Sequence, residues 1–219
     1  MAIELNKKTG INLKKGSTIS LEKDGKRLEH ICVGLNWGVI ERTEKHSFLG
    51  FIKWEDKQTW SVDLDGSVST FATDKQYIDT VYYRKLLSDD GSIKHSGDDL
   101  VGDRNGDDGL DNEIIEINLK SVDSRVQTIV LYLNSFKGQD FATIPYAKIR
   151  VFEGSKHQVN DVLATFNLAS EPQFRGFVSM VMGKIVRKPN GNWEFIAIGE
   201  PVSASGIEET IRCISEQYL

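Results

Sequence analysis

Seven carboxylates crowd the sixteen residues from Asp98 to Glu113: Asp98, Asp99, Asp103, Asp107, Asp108, Asp111 and Glu113, opposed by Arg104 alone. That window carries −6, while the rest of the chain holds 26 basic against 25 acidic residues. Carboxylates packed this closely repel one another unless water or a shared cation screens them. The stretch also alternates Asp or Asn with Gly, as in Asp103-Arg104-Asn105-Gly106-Asp107-Asp108-Gly109. Calcium is a hard cation that takes six to eight oxygens from carboxylates, amide side chains, carbonyls and water. Glycine tolerates the positive φ that lets a loop fold back and aim several oxygens inward. Magnesium fits less well, because it prefers few carboxylates and keeps its waters. The loop is not an EF-hand. Counting from Asp103, Asn105 and Asp107 fall at the third and fifth positions, but Asp108 replaces the sixth-position Gly and Ile114 the twelfth-position Glu. Composition leaves two readings open here: a calcium loop, or a solvated acidic loop that binds nothing.

Other chemistries find little support. There is no phosphate-binding Gly-x-x-x-x-Gly-Lys-Ser/Thr, no His-Glu-x-x-His and no Gly-x-Ser-x-Gly. His30, His46, His95 and His157 are scattered singly and read as ordinary strand or loop residues. Cys32 and Cys213 stand far apart and read as two buried thiols in a reducing cytosol. Trp37, Trp54, Trp60 and Trp193 are expected in the core or on sheet faces. No basic patch matches the acidic loop, so direct nucleic-acid binding is not expected. No run approaches a membrane span, and Met1 to Lys8 lacks the apolar region of a secretion signal. A cytoplasmic protein that inserts in no membrane is the expectation.

The elements that must position the loop are strands. Ser17 to Leu21 and Ile31 to Leu35 are β-prone, with Lys23-Asp24-Gly25-Lys26 between them as a hairpin turn. Trp60 to Asp65 alternates, so Trp60, Val62 and Leu64 are expected on one face and Ser61, Asp63 and Asp65 on the other. Tyr77 to Leu87 reads as strand and ends in Asp89-Asp90-Gly91. Glu113 to Leu119, Val126 to Asn134 and Ala147 to Phe152 follow. Phe177 to Arg187 and Trp193 to Ile198 flank the Asn-Gly turn of Pro189-Asn190-Gly191-Asn192. Only the C-terminus is firmly helical: Ile207, Ile211, Ile214 and Tyr218 share a helical spacing, and Ser205 with Glu208 has the form of a capping box. The pattern predicts an all-β fold, a sandwich of two mainly antiparallel sheets with a short C-terminal helix, in one domain over residues 1–219.

The acidic window resembles the signature of the TerD family, approximately Gly-Asp-Asn-Leu-Thr-Gly, an acidic residue, then Gly-Asp-Gly-Asp-Asp-Glu leading into a strand. Gly97-Asp98-Asp99-Leu100, Gly102-Asp103 and Gly106-Asp107-Asp108 follow it, and Glu113 comes after an extra Gly109-Leu110-Asp111-Asn112. Ile11 to Gly16 resembles the family's opening, and Gly34-Leu35-Asn36-Trp37 its Gly-Leu-Gly-Trp. Asp63-Leu64-Asp65-Gly66-Ser67 resembles its Asp-Leu-Asp-Ala-Ser, and Trp193 to Gly199 its ending. Three departures stand out: Gly38 where the family has an acidic residue, an insertion over Val39 to Lys57, and Asn105 where Asp is common.

The resemblance implies a calcium-binding sandwich without a catalytic centre, the ion held by the Asp-Leu-Asp strand and the acidic loop. The implied ligands are Asp63, Asp65, Asp98, Asp99, Asp103, Asn105, Asp107, Asp108 and Glu113. It also implies a bacterial stress-response protein of the tellurite-resistance type, a calcium-dependent interaction or scaffold module. Its partners would be other tellurite-resistance proteins, some at the inner face of the membrane. Two other classes compete: a calcium-dependent carbohydrate-binding module, and a hydrolase using Asp63 and Asp107. No His or Lys stands beside either aspartate in sequence to serve the hydrolase.

Overall fold

The computed structural model describes residues 10–48, 52–104, 106–169 and 172–219. Among them, the β-prone runs assemble into two six-stranded sheets. The first runs β1 (Ile11–Asn12), β14 (Gln158–Ala169), β13 (Tyr146–Ser155), β5 (His30–Trp37), β11 (Glu113–Asn118) and β10 (Ile93–His95). The second runs β2 (Thr18–Ser20), β16 (Trp193–Val202), β15 (Ser179–Arg187), β12 (Thr128–Ser135), β8 (Leu64–Phe71) and β9 (Tyr77–Val81). All pairs in both sheets are antiparallel except β1 with β14.

Period-two burial explains the layers. On β11, Glu113, Ile115 and Ile117 are buried while Ile114, Glu116 and Asn118 are half-buried. On β12 the alternation is hidden, because both faces are covered. Ile129, Leu131 and Leu133 join the core between the sheets, with Leu35, Trp37, Ile149, Met182 and Phe195. Val130 and Tyr132 face the other way, into a second cluster beneath α1 (Ile207–Gln217). Ile214 is buried there and Ile207, Ile211 and Tyr218 pack beside it. Burying one such side chain contributes roughly 1.5–3 kcal/mol, which fixes a helix too short to persist alone.

Several expectations need correction. The Asp24-Gly25 turn joins two short strands, β3 (Glu22–Lys23) and β4 (Lys26–Arg27), and does not pair the flanking runs. Ser17 to Leu21 contributes β2 to the second sheet, whereas β5 is central in the first. Ser205 bonds Glu209, not Glu208: its N–H and its hydroxyl both donate to Glu209 Oε2 at 2.8 Å. Gly206 is the residue before the first helical turn, so the box is displaced by one position. The insertion forms a separate ribbon, β6 (Ile40–Phe48) paired with β7 (Ile52–Trp60). Its charged residues lie on both faces. Of the tryptophans expected in the core or on sheet faces, Trp37 and Trp193 are buried, while Trp54 and Trp60 lie on β7 of this ribbon at 50% and 41% exposure. Cys32 is buried and Cys213 only half so.

Candidate metal centre

The site lies where the ends of the two sheets meet. Asp65 enters β8 opposite Asn134 of β12, and Asp63 sits two residues earlier, just before the strand. Asp98 follows β10 of the other sheet, after Gly97 turns the chain at φ +119°. One carboxylate oxygen from each of Asp63, Asp65 and Asp98 lies within 4.8 Å of the others. Asp63 and Asp65 are buried and Asp98 is exposed, so the cluster opens to solvent on one side only. Asp63 Oδ1 is buried without any hydrogen-bond partner. An ionised oxygen in that state is costly.

The electrostatics record the crowding. Burial, with the charges of Asp98, Glu113 and Asp63, pushes the Asp65 carboxyl up to about 7. Asp98 is raised in the same direction by burial and by Asp63. Glu113 closes the inner wall. It occupies a core-facing position of β11, is fully buried, and has its carboxyl raised by burial against the opposing pull of His95. Glu113 Oε2 accepts the Gly66 N–H at 2.8 Å and lies 3.3 Å from His95 Nε2. His95 Nδ1 accepts the Gly97 N–H at 3.1 Å, so the ring proton sits on Nε2, 3.1 Å from the Gly66 carbonyl. Gly66 must be glycine here: an added Cβ would lie 2.3 Å from Leu35 Cδ1 and 2.5 Å from Glu113 Oε2.

The loop is fastened from below by Trp37. Its indole N–H donates to the Val62 carbonyl at 2.9 Å, and its own carbonyl accepts the Asp103 N–H at 3.0 Å. Val62 N–H bonds the Val101 carbonyl at 3.1 Å, joining the aspartate segment to the loop. Asp99 shapes the turn: Oδ1 accepts the Val101 and Gly102 N–H groups at 2.9 and 2.8 Å.

The distal half of the loop is a different environment. Asp103 accepts from Tyr146 OH at 2.7 Å, Asn112 at 3.2 Å and Asn36 at 3.3 Å. Asp107 pairs with Lys148 and also meets Asn36. Asp108 is exposed and accepts the Leu110 N–H at 2.8 Å. Arg150 holds Asp111 at 2.6 Å in the space above Gly34, where a Cβ would stand 2.1 Å from the carboxylate. Of the nine residues named from sequence, Asp63, Asp65 and Asp98 converge and Glu113 backs them. Asp99 holds the turn, and Asp103, Asp107 and Asp108 lie in the distal half. Asn105 lies outside the described residues.

Sequence reading missed His95 and Lys137 at the site, and Asn36, Tyr146, Lys148 and Arg150 around the distal half. His95 had one available signal, its position three residues before Asp98. Lys137 had none, because only the β12–β8 pairing brings it to Asp63.

The comparisons with known proteins agree with this architecture. The TerD domain profile matches residues 9–213. The chain belongs to the TerD family. It is 32% identical to tellurium resistance protein TerZ of Serratia marcescens, over 91% of this chain and 94% of that protein. It is 31% identical to stress response protein SCP2 of Bacillus subtilis (strain 168), over 92% and 97%. Among solved structures, SAV2460 superposes with a TM-score of 0.61 at 19% identity, covering 85% of this chain and 96% of that one. A homologue of the telluride resistance protein TerD, SCO6318 from Streptomyces coelicolor A3(2), superposes at 0.57 and 17% identity, covering 81% and 92%. At those identities the likeness establishes the TerD fold alone. Within the described residues no helix is long and apolar enough to cross a membrane.

Proposed function

We propose that this TerD protein binds calcium at Asp63, Asp65 and Asp98, with Glu113 behind them, and acts as a non-enzymatic stress-response module whose surface depends on the ion. The observation that carries the reading is the buried Asp63 Oδ1 without a partner, set in a three-carboxylate cluster drawn from both sheets. The donors are all hard oxygens, and the open side leaves room for water or a partner's oxygen to complete a calcium shell. Magnesium, which keeps its waters and favours fewer carboxylates, suits this cluster less.

The non-enzymatic part rests on how the neighbouring groups are used. Both nitrogens of His95 are engaged within the fold, so the ring is not free to carry protons for substrate. Thiol chemistry on tellurite is poorly served by Cys32, because burial pushes its thiol up to about 12. Partnership with other tellurite-resistance proteins in the cytoplasm belongs to the same proposal, and similarity to proteins named for tellurium resistance supports it.

The test is a calorimetric calcium titration of three variants. Asp65→Asn and Asp98→Asn should each weaken calcium binding by about tenfold or more, since ligand charge sets affinity in such sites. Asp24→Asn, in the β3–β4 turn, should leave it unchanged. Asp65→Asn should also raise the metal-free melting temperature at pH 8, because it removes a charge that folding disfavours. Wild-type affinity in both site variants would dismiss the cluster as the binding site.

A further inference from the structure

One cation already touches the cluster. Lys137 Nζ lies 3.3 Å from Asp63 Oδ2 and donates to the Leu100 carbonyl at 3.1 Å. A carboxylate from the aspartate segment and a carbonyl from the acidic loop are two of the oxygen types that calcium takes. The lysine's base is fixed. Phe136 N–H donates to the Asp63 carbonyl at 2.9 Å, Gln139 Nε2 to the Ser61 carbonyl at 2.9 Å, and Gly138 closes the turn at φ +73°. Its side chain is not fixed in the same way: it is 46% exposed, whereas that of Asp63 is 3% exposed. An ammonium on a flexible four-carbon stem can leave for water at little cost.

We propose that Lys137 is a tethered counter-ion, holding Asp63 and the Leu100 carbonyl when no metal is bound and giving way when calcium enters. This rests on the calcium reading above and adds to it a residue that sets the calcium threshold. The ammonium offsets part of the repulsion among Asp63, Asp65 and Asp98, so the metal-free fold persists. It also opposes an incoming divalent cation, both by occupying its oxygens and by its charge. The site therefore fills only when calcium rises above the level that a lysine-free cluster would require.

The experiment compares wild type with Lys137→Met, Lys137→Gln and Lys137→Arg by calcium calorimetry and by melting with and without the ion. Met and Gln should tighten calcium binding by roughly three- to tenfold, as expected for loss of a half-exposed competing charge. Both should lower the metal-free melting temperature while leaving the calcium-loaded one near wild type. Arg, which keeps the cation, should stay within about twofold of wild type. Because Met and Gln differ in polarity, agreement between them removes packing as the cause. If wild type binds calcium and the neutral variants bind it equally or more weakly, Lys137 supports the site and this inference falls alone. If wild type binds no divalent cation, the calcium reading falls and takes the inference with it.

Discussion

Stripped of divalent cations, the protein should lose roughly 3 kcal/mol of folding stability between pH 5 and pH 8. The source is Asp65, whose carboxyl is raised from 3.8 to about 7 by burial and by its acidic neighbours. A carboxyl with a raised folded value binds more protons folded than unfolded. Stability is therefore greatest below the unfolded value and declines as pH climbs towards 7. Asp98 and Glu113 are raised too and act in the same direction. Asp123, lowered to about 2 by Arg125, has the opposite sign, but its contribution is already complete by pH 5. For a chain of this size the loss corresponds to a fall of about 6–12 °C in melting temperature. Saturating calcium should abolish most of that slope. A metal-free melting temperature that is flat or rising from pH 5 to pH 8 would contradict the crowding of carboxylates on which the site depends.

His95→Ala should be the most damaging single substitution around the site, costing about 3–5 kcal/mol. The His95 side chain is fully buried and its Nε2 faces both Glu113 and the Gly66 carbonyl. Removing it leaves a fully buried carboxylate short of a donor, an unpaired carbonyl and a cavity at once. Urea unfolding should show a reduced midpoint with little change in slope. Calcium binding should weaken as well, because Glu113 loses the contact that orients the inner wall. A loss below about 1 kcal/mol would mean that Glu113 is satisfied without His95.

Much of this arrangement was legible in the residues, for physical reasons. Strand alternation predicts that Asp63 and Asp65 leave one side of the chain together; they do converge, although Asp63 lies just outside β8. The acidic loop announces itself by charge density. The Asn190-Gly191 turn and the C-terminal helix follow from local chemistry that tertiary contacts do not override. Other features were hidden. The β6–β7 ribbon carries charges on both faces, so no period-two pattern marks it. Strand β14, whose pairing with β13 is irregular at Val151/Phe152 and Glu153/Gly154, has its apolar pattern interrupted by Asn160 and Asp161. Trp60 joins the alternation of Val62 and Leu64 in sequence, but β7 ends at Trp60 and the next three residues are not strand. Glu113 continues the inward series of Ile115 and Ile117, which places a carboxylate in the core. That signal was available. The division of the loop, with Asp98 joining Asp63 and Asp65 while Asp103, Asp107 and Asp111 are tied to Tyr146, Lys148 and Arg150, depends on strand pairings distant in sequence.

The most direct measurement is calcium calorimetry on metal-free wild-type protein, repeated in buffers of different ionisation enthalpy. If calcium enters among Asp63, Asp65 and Asp98, it must expel the proton that Asp65 holds near neutrality. A saturable heat is therefore predicted at pH 6, with close to one proton released per ion, falling towards zero by pH 8.5. Magnesium should give much less heat at the same concentration. Absence of calcium binding, or binding at pH 6 with no dependence on buffer, would contradict the site described here.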